Sequence, residues 1–259
     1  MTTFKSTQPT DHKKKVVIKL GGSMLAGLNE VFFRQLKKIR KTSEVIIIHG
    51  GGPAINEALK KAAVQSTIIE GIRVTDEAAI SIVAQTLIGQ VNPMLVGQLN
   101  QSGIQAIGLN GQDGQLLACD YLNQPLYHFV GEIQQVHVKL LEDLLAMDFL
   151  PVVACIGADS EGQLLNINGD TVASAIALAF EADELLFVTD VDGVKIEGQA
   201  IDQTSKPQID EWIEAGHIYG GMIPKVEAAT NCVLAGVPAV KIVGANLQGT
   251  TIIGEKVLQ

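Results

Sequence analysis

Two lysines in this chain occupy positions that folding alone does not explain. Lys19 directly follows the apolar run 16–18 and precedes Gly21 and Gly22, whereas Lys225 follows the segment 220–224 in the first turn of a predicted helix. A cation in a buried strand needs a partner, and a cation at a helix N-terminus opposes the helix dipole by roughly 0.3–1 kcal/mol. Because both lysines lie near paired glycines whose N–H groups can approach a phosphate, we predict a phosphorylated ligand and phosphoryl transfer.

A third glycine cluster follows another apolar strand. Gly50, Gly51 and Gly52 come after His49, and Pro53 then opens the next helix at a position that proline favours. A tight turn needs only one or two glycines, so three in a row indicate a main chain that contacts an anionic ligand. No glycine is followed directly by lysine and no GxGxxG occurs, which excludes a Walker A loop and the dinucleotide-binding fingerprint.

Two polar segments precede predicted helices. Arg73 lies in the apolar link 71–75, where its guanidinium can fork onto a ligand carboxylate or form an ordinary surface ion pair; the next helix can be capped by residue 75 or 76. Asn166, Asn168 and Asp170 precede the apolar helix 171–180, and two amides with a carboxylate exceed what one helix cap requires. We interpret this second segment as part of a site.

A buried strand predicted at residues 185–189 ends in a polar loop. Open α/β sheets bind ligands at the carboxyl ends of their strands, so this loop is a candidate nucleotide site. A simple turn accounts for Asp192 and Gly193 but leaves Thr189 and Asp190 unexplained.

The chain alternates short apolar runs with segments of helical period, which is typical of a mainly parallel sheet covered by helices on both faces. Strands are predicted at residues 16–20, 45–49, 106–109, 150–154, 185–189, 239–242 and 251–253. Helices are predicted at residues 30–40, 53–63, 76–101, 138–147, 171–180, 209–215 and 223–235. The segment 111–131 departs from this rhythm and is predicted to form a hairpin-like lid or edge feature.

Composition argues against several classes of function. The formal net charge of -9 disfavours a nucleic-acid surface, and the basic run 13–15 is interpreted as a solvated strand entry. Residues 1–12 lack the apolar core of a signal peptide and no later stretch reaches bilayer length, so we expect a cytoplasmic protein that binds no membrane. The three cysteines are expected to be reduced core residues, and the five histidines show no ligand spacing, so no protein side chain is expected to hold a metal.

Taken in order, these segments resemble the amino acid kinase superfamily. The resemblance runs from about Lys15 to the C-terminus, and its motifs lie at residues 19–22, 49–52, 71–75, 166–170, 189–193 and 220–225. It implies an α/β fold of the carbamate kinase-like type, a three-layer αβα sandwich with a mainly parallel central sheet. Residues 1–182 would form a lobe for amino-acid binding and dimerisation, and residues 183–259 a lobe for ATP binding. The implied reaction transfers the γ-phosphoryl group of MgATP to the γ-carboxylate of N-acetyl-L-glutamate, a step of arginine biosynthesis.

The same resemblance implies roles for single residues. Lys19 and Lys225 would stabilise the transferring phosphoryl group, and Asp170 would orient both lysines. The implied substrate-binding residues are Gly51, Gly52, Arg73, Asn166 and Asn168, and the implied ATP-binding residues are Gly21, Gly22, Thr189, Asp190, Gly193, Val194, Gly220, Gly221 and Met222. A carboxylate is already ionised at neutral pH, so the reaction needs no general base, and Mg²⁺ is expected to arrive with ATP.

One position departs from the family pattern. Relatives usually carry a basic residue after Asn92, whereas this chain has Pro93, so we predict a kink within helix 76–101. In the family this helix contributes to the dimer interface. Residues 1–12 also lack the long helix by which arginine-inhibited relatives form hexamers. We therefore expect a homodimer without arginine feedback.

Two alternatives stay open. A kinase of aminoadipate or glutamate linked to a carrier protein shares nearly all of these motifs. A non-catalytic sensor of ATP or an amino acid belongs to a different class, although the presence of Lys19, Lys225 and Asp170 argues against it.

Overall fold

The computed structural model describes residues 13–254. The expectations for residues 1–12, namely that they carry neither a signal peptide nor an oligomerising helix, lie outside the described residues. Residues 255–259 of the predicted second lobe lie outside them as well.

The predicted strands and helices are all present, with bounds that differ by a few residues. Between residues 13 and 254 the strands are β1 (Lys14–Leu20), β2 (Ser43–His49), β3 (Ile68–Ile69), β4 (Ile72–Arg73), β5 (Ala106–Asn110), β6 (Leu117–Tyr121), β7 (Gly131–Val136), β8 (Leu150–Ala154), β9 (Ile156–Ala158), β10 (Leu164–Asn166), β11 (Glu184–Val188), β12 (Lys195–Ile196), β13 (Gln199–Ala200), β14 (Gln203–Ser205), β15 (Ala239–Val243) and β16 (Gly249–Ile253). The α-helices of the same residues are α1 (Glu30–Arg40), α2 (Gly52–Lys61), α3 (Glu77–Thr86), α4 (Asn92–Gln101), α5 (Gln124–Tyr127), α6 (Lys139–Ala146), α7 (Gly169–Ala179), α8 (Lys206–Glu214) and α9 (Ile223–Leu234).

An eight-stranded sheet forms the centre of the protein. Its strands lie in the order β14, β16, β15, β11, β1, β2, β8 and β5. Every neighbouring pair is parallel except β15 and β16, which are antiparallel. The sheet therefore confirms the predicted mainly parallel arrangement, and it brings the carboxyl ends of β11, β1 and β2 together at its middle.

Apolar side chains of the central strands divide between the two faces of this sheet. Val17 packs in one core with α7 and α9, whereas Val16 and Ile18 pack in another core with α1 and α4. Because successive side chains of a strand point to opposite faces, an uninterrupted apolar strand is buried on both of them. The resulting three layers confirm the predicted αβα sandwich.

A smaller sheet contains the segment that departs from the α/β rhythm. Its four strands lie in the order β10, β9, β6 and β7. β6 and β7 are antiparallel and are joined through the short helix α5. The predicted hairpin-like excursion is this strand pair, which places it in a second sheet.

Helices α3 and α4 are joined by a π-helical turn at Leu87–Val91. The Asn92 N–H donates to the Leu87 carbonyl, a bond that spans five residues where a regular α-helix spans four. Pro93 follows immediately. Because proline has no N–H and its ring clashes with the carbonyl four residues earlier, a regular α-helical turn is unfavourable there. The irregularity predicted from Pro93 therefore takes the form of a π-helical turn.

The combined helical segment Glu77–Gln101 corrects one expectation from the sequence. With 25 residues it is long and apolar enough, by length and composition alone, to cross a membrane. Half of its most apolar stretch is buried inside the protein, where Leu95 and Leu99 pack against the central sheet. Its apolar character is accounted for by this packing.

Candidate active site

The predicted catalytic strand lies in the middle of the central sheet. Lys19 of β1 is in register with Ile48 of β2 and Phe187 of β11, and its ammonium group lies 5.6 Å from the centre of the Phe187 ring. The glycine segments start directly after these strands, at Gly21 after β1 and at Gly50 after β2. Sheet topology thus places Lys19 beside both glycine segments and beside the polar loop after β11.

The charge of Lys19 is compensated by Asp170. Lys19 Nζ lies 2.7 Å from Asp170 Oδ1, and both side chains are partly exposed. The Asn168 side chain caps α7 by accepting hydrogen bonds from the N–H groups of Asp170 (2.8 Å) and Thr171 (3.4 Å). Because Asn168 supplies the cap, the Asp170 carboxylate remains available for the lysine. A ligand can reach this pair from solvent.

Lys225 has a different partner. It lies in the first turn of α9, where it was predicted, and forms an ion pair with Asp190, just beyond β11. A hydrogen bond from Lys225 and its positive charge hold the pKa of the Asp190 carboxyl below its usual value. The family resemblance implied that Asp170 orients both lysines. Among residues 13–254, Asp170 forms an ion pair with Lys19 only, and Asp190 is the carboxylate that pairs with Lys225.

A cavity of about 190 Å³ lies between the glycine loop after β2 and the start of α7. Its wall contains all five residues predicted to bind the substrate, Gly51, Gly52, Arg73, Asn166 and Asn168. The rest of the wall includes the apolar side chains Ile55, Ile68, Ile72, Leu87, Val130 and Ile167. Residues from six separate segments of the chain are therefore assembled around one small space.

Arg73 reaches this cavity from the β3–β4 hairpin. The two turn residues, Glu70 and Gly71, have φ values of 50° and 79°, and positive φ at both positions is what a type I′ turn requires. The guanidinium donates to the Ser66 hydroxyl and the Asn56 side-chain oxygen, and burial lowers its pKa. Among residues 13–254 no carboxylate lies within ion-pair distance of Arg73. The alternative that Arg73 forms a surface ion pair is therefore wrong among residues 13–254. Within that range its guanidinium has only neutral hydrogen-bond partners.

Thr75 connects Arg73 to Asn166. Its hydroxyl donates to the Arg73 carbonyl at 2.9 Å and accepts from the Asn166 amide at 3.1 Å. Asp76 is the residue that caps α3, by accepting from the Ala79 N–H. Since Asp76 caps the helix, Thr75 is free to fix two cavity residues relative to each other, a role that the sequence did not reveal.

Two glycine segments meet at the edge of the cavity. Helix α2 starts there with Gly51 as its N-cap and no side-chain cap, so N–H groups of its first turn remain available to an anion. A Cβ atom on Gly22 would lie 2.8 Å from the Gly52 nitrogen and 2.9 Å from Pro53 Cδ. The two backbones are therefore so close that no side chain fits at Gly22.

A second cleft, of about 420 Å³, lies beyond the carboxyl end of β11. Four of the predicted ATP-binding residues line it: Asp190, Gly193, Val194 and Met222. The other predicted residues adjoin these in the chain or belong to the loop after β1, and they do not line the cleft; they are Gly21, Gly22, Thr189, Gly220 and Gly221.

Sequence reasoning missed several residues of this cleft, namely Lys195, His217, Ile218 and Tyr219. Tyr219 had a usable signal, because it is an aromatic residue next to a glycine pair, and its side chain is 75% exposed. Lys195 and His217 carried none, since they come from a hairpin and a turn whose positions depend on tertiary contacts.

His49 lies behind the glycine loop and outside the cavity. Its ring is fully buried, with Nδ1 2.9 Å from the Gly50 carbonyl oxygen and Nε2 3.0 Å from the Asn92 amide nitrogen. Because the Asn92 nitrogen can only donate, Nε2 accepts and the proton is on Nδ1. Burial lowers the pKa of His49 to about 4, so the ring is neutral at physiological pH.

The cysteines of the described residues are part of the core. Cys119, Cys155 and Cys232 are buried and free, which confirms their predicted placement in the core. Burial raises the pKa of Cys155, which borders the cavity, to about 12, so its thiol stays protonated. Within the described residues, 13–254, no three His, Cys, Asp or Glu side chains converge in a metal-binding group.

Comparisons with known proteins identify the family of this chain. The model of the amino acid kinase family matches residues 14–244. Acetylglutamate kinase of Halalkalibacterium halodurans is 40% identical over 247 residues, covering 92% of this chain and 95% of the relative. Acetylglutamate kinase of Geobacillus kaustophilus is 42% identical over 231 residues, covering 89% of this chain and 90% of the relative.

Solved structures show the same fold. The crystal structure of smu.665 from Streptococcus mutans UA159 superimposes with a TM-score of 0.82 at 35% identity, covering 92% of this chain and 98% of that one. Carbamate kinase from Giardia lamblia bound to AMP-PNP superimposes with a TM-score of 0.66 at 17% identity, covering 95% of this chain and 100% of that one. The second likeness concerns the fold alone.

The contact between the two glycine segments predicts the effect of Gly22→Ala. The added methyl group would overlap the backbone at residues 51–52, so the free energy of unfolding should fall by about 1–3 kcal/mol. Gly27→Ala is the matched control, because a Cβ atom there meets nothing within 4 Å, and it should be neutral or slightly stabilising. Urea unfolding measures both variants, and equal midpoints would contradict the close approach.

Burial of neutral His49 predicts a loss of stability in acid. Its pKa is about 4 in the folded protein and 6.5 in an exposed reference, so the unfolded state binds more protons between these values. Stability is then fully present above pH 6.5 and falls by about 3 kcal/mol as the pH drops to 4. Urea unfolding across this range measures it. Carboxylates also titrate in this pH range, so His49→Gln is the control. The free energy of unfolding of this variant should fall less steeply with decreasing pH than that of the wild type. If both fall equally steeply, His49 is not the group responsible.

Proposed function

The chain belongs to the amino acid kinase family, and from that premise we propose that it transfers the γ-phosphoryl group of MgATP to the γ-carboxylate of N-acetyl-L-glutamate. The observation that carries this proposal is the cavity in which all five expected acceptor-binding residues meet, next to the Lys19–Asp170 pair. The acetylglutamate kinases at about 40% identity over most of the chain support the choice of acceptor. The product is the acyl phosphate N-acetyl-L-glutamyl 5-phosphate.

In this proposal the cavity holds the acceptor. Arg73, whose hydrogen-bond partners among residues 13–254 are neutral, and Asn166 bind the α-carboxylate. N–H groups of Gly51 and Gly52 face the γ-carboxylate at the start of α2. This carboxylate is already the nucleophile at neutral pH, which fits a cavity in which the only thiol is protonated and the nearby imidazole of His49 is buried outside the wall.

Two lysines supply charge for the phosphoryl transfer. A carboxylate and a phosphate repel each other, and fixed cations and backbone dipoles lower the energy of their approach. Lys19 borders the acceptor cavity, since its Cε would lie 3.4 Å from a Cβ atom on Gly169 in the cavity wall. Lys225 adjoins the nucleotide cleft through Asp190 and Met222, and it must exchange Asp190 for the phosphate when ATP binds.

Mg²⁺ enters on the nucleotide. Asp170 and Asp190 are each paired with a lysine, which fits an ion that keeps phosphate and water ligands. When bound, Mg²⁺ neutralises charge on the phosphate oxygens.

We further propose a division of labour between residues 1–182, for the amino acid and dimerisation, and residues 183–259, for ATP. Among residues 13–254, the acceptor cavity is lined by residues between 50 and 169 and the nucleotide cleft by residues between 190 and 222, which supports this division. The molecule is proposed to be a cytoplasmic homodimer that uses the helical segment Glu77–Gln101 at its interface.

A hydroxylamine trap tests the acceptor. With MgATP and N-acetyl-L-glutamate, the acyl phosphate should be captured as a hydroxamate that is measured by its coloured ferric complex. Glutamate, aspartate, uridylate and a carrier-linked aminoadipate are offered in parallel and should give little or none. Absence of the hydroxamate with N-acetyl-L-glutamate would sink the proposal, and formation with the carrier-linked substrate alone would favour that alternative kinase.

The proposed charge stabilisation predicts that Lys19→Ala and Lys225→Ala each lower the maximal rate by about 10³ or more, as removal of a transition-state cation does. Lys139→Ala is the matched control, because Lys139 forms an exposed ion pair on α6 and lines neither cavity, so its loss should leave the rate unchanged. Steady-state kinetics with both substrates saturating measure the effect. Near-normal turnover in either active-site variant would refute the role of that lysine.

A further inference from the structure

The glycine loop after β2 is supported from behind by the π-helical turn Leu87–Val91. A Cβ atom on Gly51 would lie 2.6 Å from Leu87 Cδ2 and 3.4 Å from Val91 Cγ2. Both of these side chains are buried in the core. The loop backbone therefore rests on a packed apolar surface that one turn of helix provides.

Asn92, which follows this turn, supplies a polar contact to the same loop. Its side chain is buried, and its amide nitrogen lies 3.0 Å from His49 Nε2 and 2.9 Å from the Val152 carbonyl oxygen. The two amide hydrogens can satisfy both acceptors. The amide oxygen lies over Gly108, where a Cβ atom would be only 1.9 Å away. Asn92 thus fits a space that a glycine leaves open.

His49 connects Asn92 to the glycine loop. Its Nδ1–H donates to the carbonyl of Gly50, the first loop residue, at 2.9 Å, while its own carbonyl accepts from the Cys155 thiol at 3.1 Å. The ring is buried, neutral and outside the cavity, so it takes no part in proton transfer. What it can do is fix the orientation of the Gly50 peptide, and with it the N–H groups at the start of α2.

The π-helical turn orients the Asn92 side chain toward His49. A π turn contains one more residue than an α turn. Each residue of an α-helix advances by roughly 100° around the axis, so a regular helix over the same residues would turn position 92 away from the sheet by about that angle. The irregularity near Pro93 is therefore tied to the loop geometry.

We propose that Asn92 is a positioning residue for phosphoryl transfer, which acts through His49 to hold residues 50–52 in the conformation that receives the acceptor carboxylate. The kinetic consequence rests on the function proposed above, whereas the effect on His49 does not. A positioning error of about 1 Å in an active site lowers turnover by as much as 10²-fold, so loss of this contact should be visible in kcat.

The first test needs no substrate. Nitrogen NMR of ¹⁵N-histidine-labelled protein reports which ring nitrogen carries the proton and whether the other accepts a hydrogen bond. The signals of His49, one of five histidines, are assigned by their loss in His49→Gln. The unprotonated nitrogen should be Nε2 in the wild type, and its signal should shift in Asn92→Leu, which removes the donor at similar volume. An unchanged signal would overturn the proposal whatever the acceptor is.

The second test is kinetic. Asn92→Leu should lower kcat by about 10- to 100-fold with little change in KM for ATP. Asn100→Leu is the matched control, since Asn100 lies on the same helix and ties it to the Ala106 backbone in a similar way, at 2.9 and 3.3 Å, but far from the loop. It should cost stability and leave kcat unchanged. Because Asn92 acts through His49, the double variant with His49→Gln should be no slower than the slower single variant.

The outcomes separate this inference from the proposed function. A wild type that phosphorylates no acceptor defeats the function, and the His49 signal still decides the contact. A shifted signal with an unaltered kcat overturns the positioning role, as does an equal loss of kcat in Asn100→Leu. If Asn92→Leu does not fold, Asn92→Ser replaces it, because its short hydroxyl cannot span the distance to His49.

Discussion

The structure depends on a positive charge placed at the end of the central strand. Lys19 lies in the middle of an eight-stranded sheet, where burial of an unpaired cation would cost several kcal/mol. Its compensation by Asp170 determines how α7 begins, because the carboxylate must be in the first turn and cannot also cap the helix. Asn168 takes over the cap. One ion pair thus explains two nearby residue choices.

A second constraint is the close approach of main chains. In the proposed reaction backbone N–H groups approach both the acceptor carboxylate and the phosphate, and side chains would obstruct this approach. Gly22 therefore packs against residues 51–52, and Gly51 packs against the π-helical turn behind it. The glycine segments are held on both sides by rigid structure, so they do not need to order themselves when a ligand binds.

The two lysines are each paired with a carboxylate, and the two pairs differ in exposure. Lys19 is paired with Asp170 in the first turn of α7, and Lys225 with Asp190 beyond β11. The Lys225–Asp190 pair is largely exposed on its acidic partner, so water screens it and its exchange for a phosphate requires little energy. The Lys19–Asp170 pair is less exposed, so water screens it less.

The sequence by itself determined the alternation of strands and helices, the glycine segments, and the positions of Lys19, Lys225, Arg73 and Asp170 along the chain, because periodicity, helix capping and glycine clustering are local signals. Only the tertiary structure decided which carboxylate meets Lys225, that Arg73 is presented by a Glu-Gly hairpin, and that Tyr219 borders the nucleotide cleft. It also decided that Asn92 reaches His49 across 43 positions of the chain. These contacts join residues far apart in sequence, and their geometry is set by how helices and strands pack, for which no local pattern carries the information.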